Sequence, residues 1–245
     1  MSRLPGLFVV GTDTGVGKTV ISAAIARVMT QEGRRVGVLK PAATGAVRVG
    51  DGWKSDDADR LIEAIGGGVA LERVVPRIYK EPLAPSVAAR RQGTPLLWDD
   101  LAQAVDESLV WWAERAEVMV VEGVGGFLTP MADRASIADL AIRLDYPLVI
   151  VARKGLGTLN HTLLTVEAAL SRGLRIAAVV LNGSEPPQGT VAEATNAEEL
   201  ARLLEGTGPL VTVEYSVDQS LIPIAAVCMN WYDRASRPRG ENVVG

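Results

Sequence analysis

The 245 residues carry 25 basic and 29 acidic side chains, a net charge of −4 and a pI near 5.2, which argues against a general nucleic-acid binder with a basic face. With 48% hydrophobic residues the chain has the means for one large α/β domain and is not expected to be disordered over most of its length. The single cysteine, Cys228, excludes an intrachain disulfide framework, residues 1–6 lack the apolar core of a secretory signal and no apolar run reaches bilayer length, so a cytoplasmic protein outside the membrane is expected.

The chain opens with an apolar run at 7–10, a predicted strand, followed by Gly-Thr-Asp-Thr-Gly-Val-Gly-Lys-Thr at 11–19 and an apolar-periodic segment from Val20 to Met29. Strand, Gly-rich turn and helix in that order make the setting of a P-loop. Five residues separate Gly11 from Gly17, where the standard pattern has four. The closing Gly17-Lys18-Thr19 keeps the parts that matter: loop N–H groups and a helix N-terminus directed at phosphate, Lys18 for the β- and γ-phosphates, and Thr19 for Mg²⁺.

Further predicted strands lie at 36–39, 118–121, 148–152, 176–181 and 210–213. They are rich in Val, Ile and Leu and barely alternate, as strands buried on both faces should read. Helices are predicted at 19–33, 57–65, 95–115, 136–144, 159–172 and 197–204. Thr94-Pro95 reads as an N-cap with proline at the first helical position, and Asn196 with Glu199 as a variant capping box. Gly33 and Gly173 stand where helix C-caps are expected. Strand–helix alternation predicts an α/β fold: a single-domain P-loop NTPase with a mainly parallel sheet covered by helices on both faces. Residues 1–232 are assigned to this domain and 233–245 to a polar C-terminal tail. Trp111 and Trp112, on a predicted helix, read as packing or interface residues.

Ligands of such sheets bind beyond the carboxyl ends of the strands. The residues found there are the P-loop, Lys40-Pro41-Ala42-Ala43-Thr44-Gly45, Glu122-Gly123-Val124-Gly125-Gly126, the stretch from Arg153 to His161, and Asn182. Each has an ordinary structural explanation: a solvated lysine for Lys40, a turn hydroxyl for Thr44, a strand-end carboxylate for Glu122, a turn residue for Asn182. Glu122 is better explained as a hard oxygen ligand for Mg²⁺ beside the P-loop. Asp56, Asp57 and Asp59 form one acidic segment, which a helix N-terminus also favours.

Taken together and in order, the P-loop, Lys-Pro-x-x-Thr-Gly, Val-Glu-Gly-x-Gly-Gly, Leu-Gly-Thr-Leu-Asn-His and the later Asn resemble the dethiobiotin synthase family over residues 7–183, and the longer loop is that family's form. The resemblance implies an enzyme, a ligase of biotin biosynthesis that joins 7,8-diaminononanoate and CO₂ with ATP and Mg²⁺, through a carbamate and a mixed anhydride with phosphate. It implies Lys18 and Lys40 as the catalytic cations. It implies nucleotide binding by Gly15, Val16, Gly17, Lys18, Thr19, Val20, Asp57, Glu122, Gly125, Asn182 and Gly183. Thr19, Asp57 and Glu122 would hold the metal, with Asp56 as the alternative to Asp57. Thr14, Lys40, Thr44 and Gly125 would hold the substrate, together with Leu156, Gly157, Thr158 and Asn160 donated across a homodimer interface. His161, the one histidine, receives no catalytic role. Beyond Gly183 the resemblance thins.

Three other readings stand beside it. A P-loop ATPase that positions plasmids or division sites carries an extra lysine early in the loop, where this chain has Thr12-Asp13-Thr14. A cobyrinate-type amidoligase needs a glutamine-hydrolysing Cys domain, a setting that Cys228 lacks. The third is a plain nucleotide-binding module.

Overall fold

The computed structural model describes residues 4–216, so Cys228 and the expected tail at 233–245 lie outside the described residues. In chain order the elements are β1 (Gly6–Gly11), α1 (Lys18–Gln31), β2 (Val36–Leu39), β3 (Val47–Val49), β4 (Gly52–Lys54), α2 (Asp56–Ala64), α3 (Leu71–Val74), α4 (Pro85–Arg91) and α5 (Trp98–Ala113). There follow β5 (Val118–Glu122), β6 (Pro130–Ala132), β7 (Ala135–Ser136), α6 (Ile137–Leu144), β8 (Leu148–Arg153), α7 (Thr158–Leu170), β9 (Ile176–Asn182), α8 (Val191–Leu203) and β10 (Leu210–Val213).

Six strands form one sheet in the order β10-β9-β8-β1-β5-β2, every neighbouring pair parallel. Parallel neighbours need crossover connections, and the helices that supply them cover both faces. Every residue of β1, β2, β5 and β9 is therefore buried, the reason these runs read as continuous apolar stretches. Leu7, Phe8, Ile21, Ile25, Met29 and Leu39 are fully enclosed at the centre. Each such side chain contributes roughly 1.5–3 kcal/mol relative to an exposed position. The architecture is the expected one, an α/β P-loop NTPase fold. Among the described residues no helix is long and apolar enough to cross a membrane.

Helix ends differ from expectation in two places. The helix expected from residue 95 begins at Trp98, with Leu97 as N-cap. Thr94 instead closes α4, donating its N–H to the Ala89 carbonyl at 3.1 Å, and the Leu96 carbonyl accepts from Asp133 N–H at 3.0 Å. Thr94 and Leu96 are committed to those bonds, and the helical pattern starts with the Leu97 carbonyl, which accepts from Leu101 N–H at 3.1 Å. The last helix starts at Val191, six residues before the expected 197. Thr190 and Glu193 form its capping box. Asn196 lies inside that helix, and its amide crosses to the Gly155 carbonyl at 2.8 Å. At the end of α1, Gly33 takes a left-handed φ of 85°, and Arg34 N–H reaches back to the Met29 carbonyl at 3.1 Å.

The two short antiparallel ribbons, β3–β4 and β6–β7, and the short helices α3 and α4 have no counterpart in the sequence reading. Trp112 is buried and donates its indole N–H to the Arg73 carbonyl at 3.3 Å, while Trp111 is partly buried with the Arg115 guanidinium 4.3 Å from its ring. Both tryptophans serve packing.

If α8 begins at its capping box, Thr190→Ala should cost about 1 kcal/mol of stability. Urea denaturation measures it, and an unchanged midpoint would contradict the box.

Candidate functional site

The P-loop runs between β1 and α1, at the carboxyl end of the sheet, and Gly17 is the pivot. Its φ is 91°, and a Cβ there would lie 2.1 Å from the Asn182 amide nitrogen. That amide donates to the Val16 carbonyl at 2.9 Å. Only glycine allows both the left-handed backbone and this close crossing. Lys18 folds back over the loop and donates to the Asp13 carbonyl at 2.9 Å.

Sheet register brings two charged strand ends together. Leu39 pairs with Val121 across β2 and β5, so the next residues, Lys40 and Glu122, stand side by side. Both are buried, and the Lys40 ammonium lies 2.5 Å from Glu122 Oε1 and 2.8 Å from Asp57 Oδ2. Asp57 arrives in the first turn of α2, which packs on α1. The Thr19 hydroxyl completes the group, 2.8 Å from Asp57 Oδ1 and 2.8 Å from Glu122 Oε1. With one proton it donates to one carboxylate at a time. Asp56 faces Lys54 at 3.4 Å, so Asp57, not Asp56, is the member of this acidic segment in the cluster. The loop after β2 is held by a second strip of chain: Lys40 N–H reaches the Val74 carbonyl at 2.8 Å and Ala43 N–H the Arg77 carbonyl at 2.9 Å. Thr44 is thereby set beside the cluster.

The charges tune one another. Burial drives the Lys18 ammonium down to about 8, and Lys40 adds to that shift while Glu122 and Asp57 oppose it. Burial also acts against the charge on Lys40, but Glu122 and Asp57 outweigh it and hold that ammonium above the ordinary lysine value. For Asp57 burial opposes ionisation, and Lys40 with the Thr19 hydroxyl outweighs it, leaving the carboxyl below the usual range.

A cavity of about 790 Å³ opens over this cluster. It gathers Thr14, Gly15, Gly17, Lys18, Thr19, Val20, Lys40, Thr44, Asp56, Asp57, Glu122 and Gly125, all singled out from the sequence. Arg60, Pro82, Leu83, Ala84 and Thr129 also line it and were not anticipated. The one available signal for the apolar part was the pair of prolines, Pro82 just ahead of α4 and Pro85 at its first position. A second cavity, about 130 Å³, shares Gly15, Gly17 and Val20 and adds Asn182, Gly183, Glu214 and Tyr215. Val16 is fully buried and lines neither. A third, about 370 Å³, lies on the other side of the loop, between Thr12, Asp13, Thr14 and Thr129 and the α7 residues His161 and Leu164. Leu156, Gly157, Thr158 and Asn160 line none of these three cavities. Leu156 is 88% exposed, whereas the Thr158 hydroxyl is buried, 3.5 Å from that of Thr162.

Among the described residues no cluster of three or more His, Cys, Asp or Glu forms a metal cage. Mg²⁺ does not need one, since it takes one or two carboxylates and fills its shell with phosphate oxygens and water. The donors here fit that ion: a hydroxyl, two carboxylates, and a Glu122 Oε2 that is buried without a partner.

A family model described as an AAA domain matches residues 5–226. An ATP-dependent dethiobiotin synthetase of Anaeromyxobacter dehalogenans is 46% identical over 198 residues, covering 81% of this chain and 85% of its own. One from another Anaeromyxobacter is 41% identical over 206 residues, covering 81% of this chain and 89% of its own. Among solved structures, a DUF1611-family protein from Anabaena variabilis superposes with a TM-score of 0.52 at 18% identity, over 94% of this chain and 58% of that one, a likeness of fold alone. The chain belongs to the dethiobiotin synthetase family and is an enzyme of that kind, a ligase.

Removing Lys40 strands a buried carboxylate. Lys40→Met should destabilise the fold by about 3–5 kcal/mol, and adding Glu122→Gln should recover most of it. Urea midpoints of the single and double variants test this; a double variant no better than Lys40→Met would contradict it.

Proposed function

We propose that this dethiobiotin synthetase family member closes the ring of dethiobiotin from 7,8-diaminononanoate and CO₂, driven by ATP and Mg²⁺. The observation that carries the reading is the convergence of Lys18, Thr19, Lys40, Asp57 and Glu122 on one cavity that also holds Thr14, Thr44 and Gly125. Its relatives' names supply the product and the use of ATP, and they favour this reading over the plasmid- or division-site-positioning ATPase. ATP as co-substrate also suits the cytoplasmic location expected from the single cysteine.

In this proposal one amine of the substrate attacks CO₂, forming an N–C bond and releasing a proton, to give a carbamate. A carbamate oxygen then takes the γ-phosphoryl group of ATP, and ADP leaves. The second amine attacks the carbon of this mixed anhydride, the C–O bond to phosphate breaks, the amine gives up its proton, and the cyclic urea forms as inorganic phosphate leaves. The carbamate, the transferring phosphoryl group and the mixed anhydride all carry negative charge, so fixed cations and positioning should supply most of the acceleration.

Lys18 leaves the Asp13 carbonyl for the β- and γ-phosphates, while the loop N–H groups hold the rest of the triphosphate. Lys40 and Thr44 orient the carbamate. Pro82, Leu83 and Ala84 offer an apolar wall to the substrate's carbon chain. Thr19, Asp57 and Glu122 would hold Mg²⁺, which when bound offsets phosphate charge. Asn182 and Gly183, with Glu214 and Tyr215, form the wall that would receive the adenine. The substrate carboxylate would reach Leu156, Gly157, Thr158 and Asn160 of a second copy, with Thr158 contributing its backbone because its hydroxyl is buried. Exposed Leu128, Leu156 and Leu164 give that homodimer an apolar contact surface.

Phosphate release from ATP should require the diamine, CO₂ and Mg²⁺ together. Full release without the diamine would indicate an uncoupled ATPase instead. The low value of Lys18, about 8, adds a proton balance. Above pH 8 the free protein carries a neutral Lys18, and the triphosphate restores its charge, so ATP binding should take up a proton there and none near pH 6. Calorimetry in buffers of different ionisation enthalpy reads this directly, and Lys18→Met should abolish it.

Shared sites predict complementation. Lys40→Ala and Asn160→Ala should each be inactive, yet an equal mixture allowed to exchange subunits should regain about a quarter of wild-type activity, since half the dimers then hold one intact site. No recovery despite exchange would place Asn160 outside the partner's site.

A further inference from the structure

Two carboxylates converge at the end of β5, and what they converge on is an ammonium group. Asp57 and Glu122 carry two negative charges within reach of one another, an arrangement that repels unless a cation stands between them. Lys40 is that cation, 2.8 Å from one carboxylate and 2.5 Å from the other. These are two of the three groups that the reading above gives to Mg²⁺, and the third, Thr19, bonds the same two carboxylates.

We propose that Lys40 competes with the metal: in the ligand-free protein its ammonium takes the cation's place between Asp57 and Glu122, and the incoming divalent ion drives it out into the substrate cavity. The proposal rests on the metal reading above. An ammonium and a divalent ion lying against the same two carboxylates repel one another and divide the same negative charge, so each weakens the other's hold.

Lys40 has somewhere to go. Its four-carbon stem is rotatable, and the 790 Å³ cavity adjoins it, with Thr14 and Thr44 on the wall. The Asp57 side chain is 48% exposed, so that contact lies on the open side. Glu122 Oε2, buried and without a donor, gains a partner when the ion arrives. The displaced ammonium then faces the place where an anionic carbamate would lie. Metal and anionic substrate therefore bind cooperatively, and the substrate-holding cation is exposed only when the phosphate-bearing partner is in position.

Mn²⁺ binding, followed by the electron paramagnetic resonance of the free ion with the nucleotide-free protein, tests this. A competitor and a scaffold predict opposite signs. Lys40→Met should bind Mn²⁺ about tenfold more tightly than wild type once the internal cation is gone. Equal or weaker binding by the folded variant overturns the proposal, as a purely structural lysine would require. Where Lys40→Met does not fold, Lys40→Gln serves. The wild-type protein gives an independent reading: the Lys40 ¹⁵Nζ resonance, assigned with Lys40→Arg, should shift on adding Mg²⁺ with ADP and hold its position on adding ADP alone. A resonance unmoved by the metal overturns the proposal equally. Neither readout uses the diamine, so a failure here is distinct from a failure of diamine-dependent phosphate release.

Discussion

A lysine buried at the end of a parallel strand must be met by carboxylates, and most of the site follows from that demand on Lys40. Moving an ammonium into a protein interior costs several kcal/mol, and attraction to a partner offsets this only in close, well-bonded geometry. Glu122 meets the demand from the adjacent strand by register alone, one residue past the Leu39–Val121 pair. Asp57 meets it from α2, which is why that helix must press its first turn against the carboxyl end of the sheet. Thr19, at the start of α1, ties the same carboxylates to the P-loop. One buried charge thus sets the relative positions of two strands, two helices and the phosphate-binding loop.

The fold was legible where burial alone decides local structure. Strands enclosed on both faces read as unbroken apolar runs, and β2 and β10 begin and end at the expected residues. Legibility failed where a cap-forming residue had two possible uses. Thr94 closes α4 and does not open α5, and Asn196 bonds a carbonyl across the structure from inside α8. Both satisfy a backbone group, and nothing local says which one. The ribbons β3–β4 and β6–β7 escaped because three-residue strands with exposed positions carry almost no periodicity.

In the site, residues at strand ends were visible because the sheet topology gathers them on one edge. The choice between Asp56 and Asp57 depended on the direction of the first helical turn, which sequence does not specify to one residue; the side chains settle which one meets Thr19 and Lys40. Arg60 and the segment from Pro82 to Ala84 reach the cavity through chain that has no motif of its own. Asn182 stands beside the loop as expected, and one N–H of its amide is given to the Val16 carbonyl. That bond ties the end of β9 to the P-loop, and the side chain keeps a second N–H as well as its oxygen.

The loop has one more residue between Gly11 and Gly17 than the standard pattern, and its segment from Thr12 to Thr14 faces α7, where all three residues line the 370 Å³ cavity. Thr14 belongs to both that cavity and the larger one above Lys40, as does Thr129 across from it. Lys18, meanwhile, rests on the carbonyl of Asp13 in the middle of that segment. Under the role proposed for Lys18, that carbonyl would lose its donor when phosphate binds, and the part of the loop beside it is the wall that the two cavities share. Thr14 and Thr129 stand in that wall, so a change at the Asp13 carbonyl would be felt on both sides of one backbone turn.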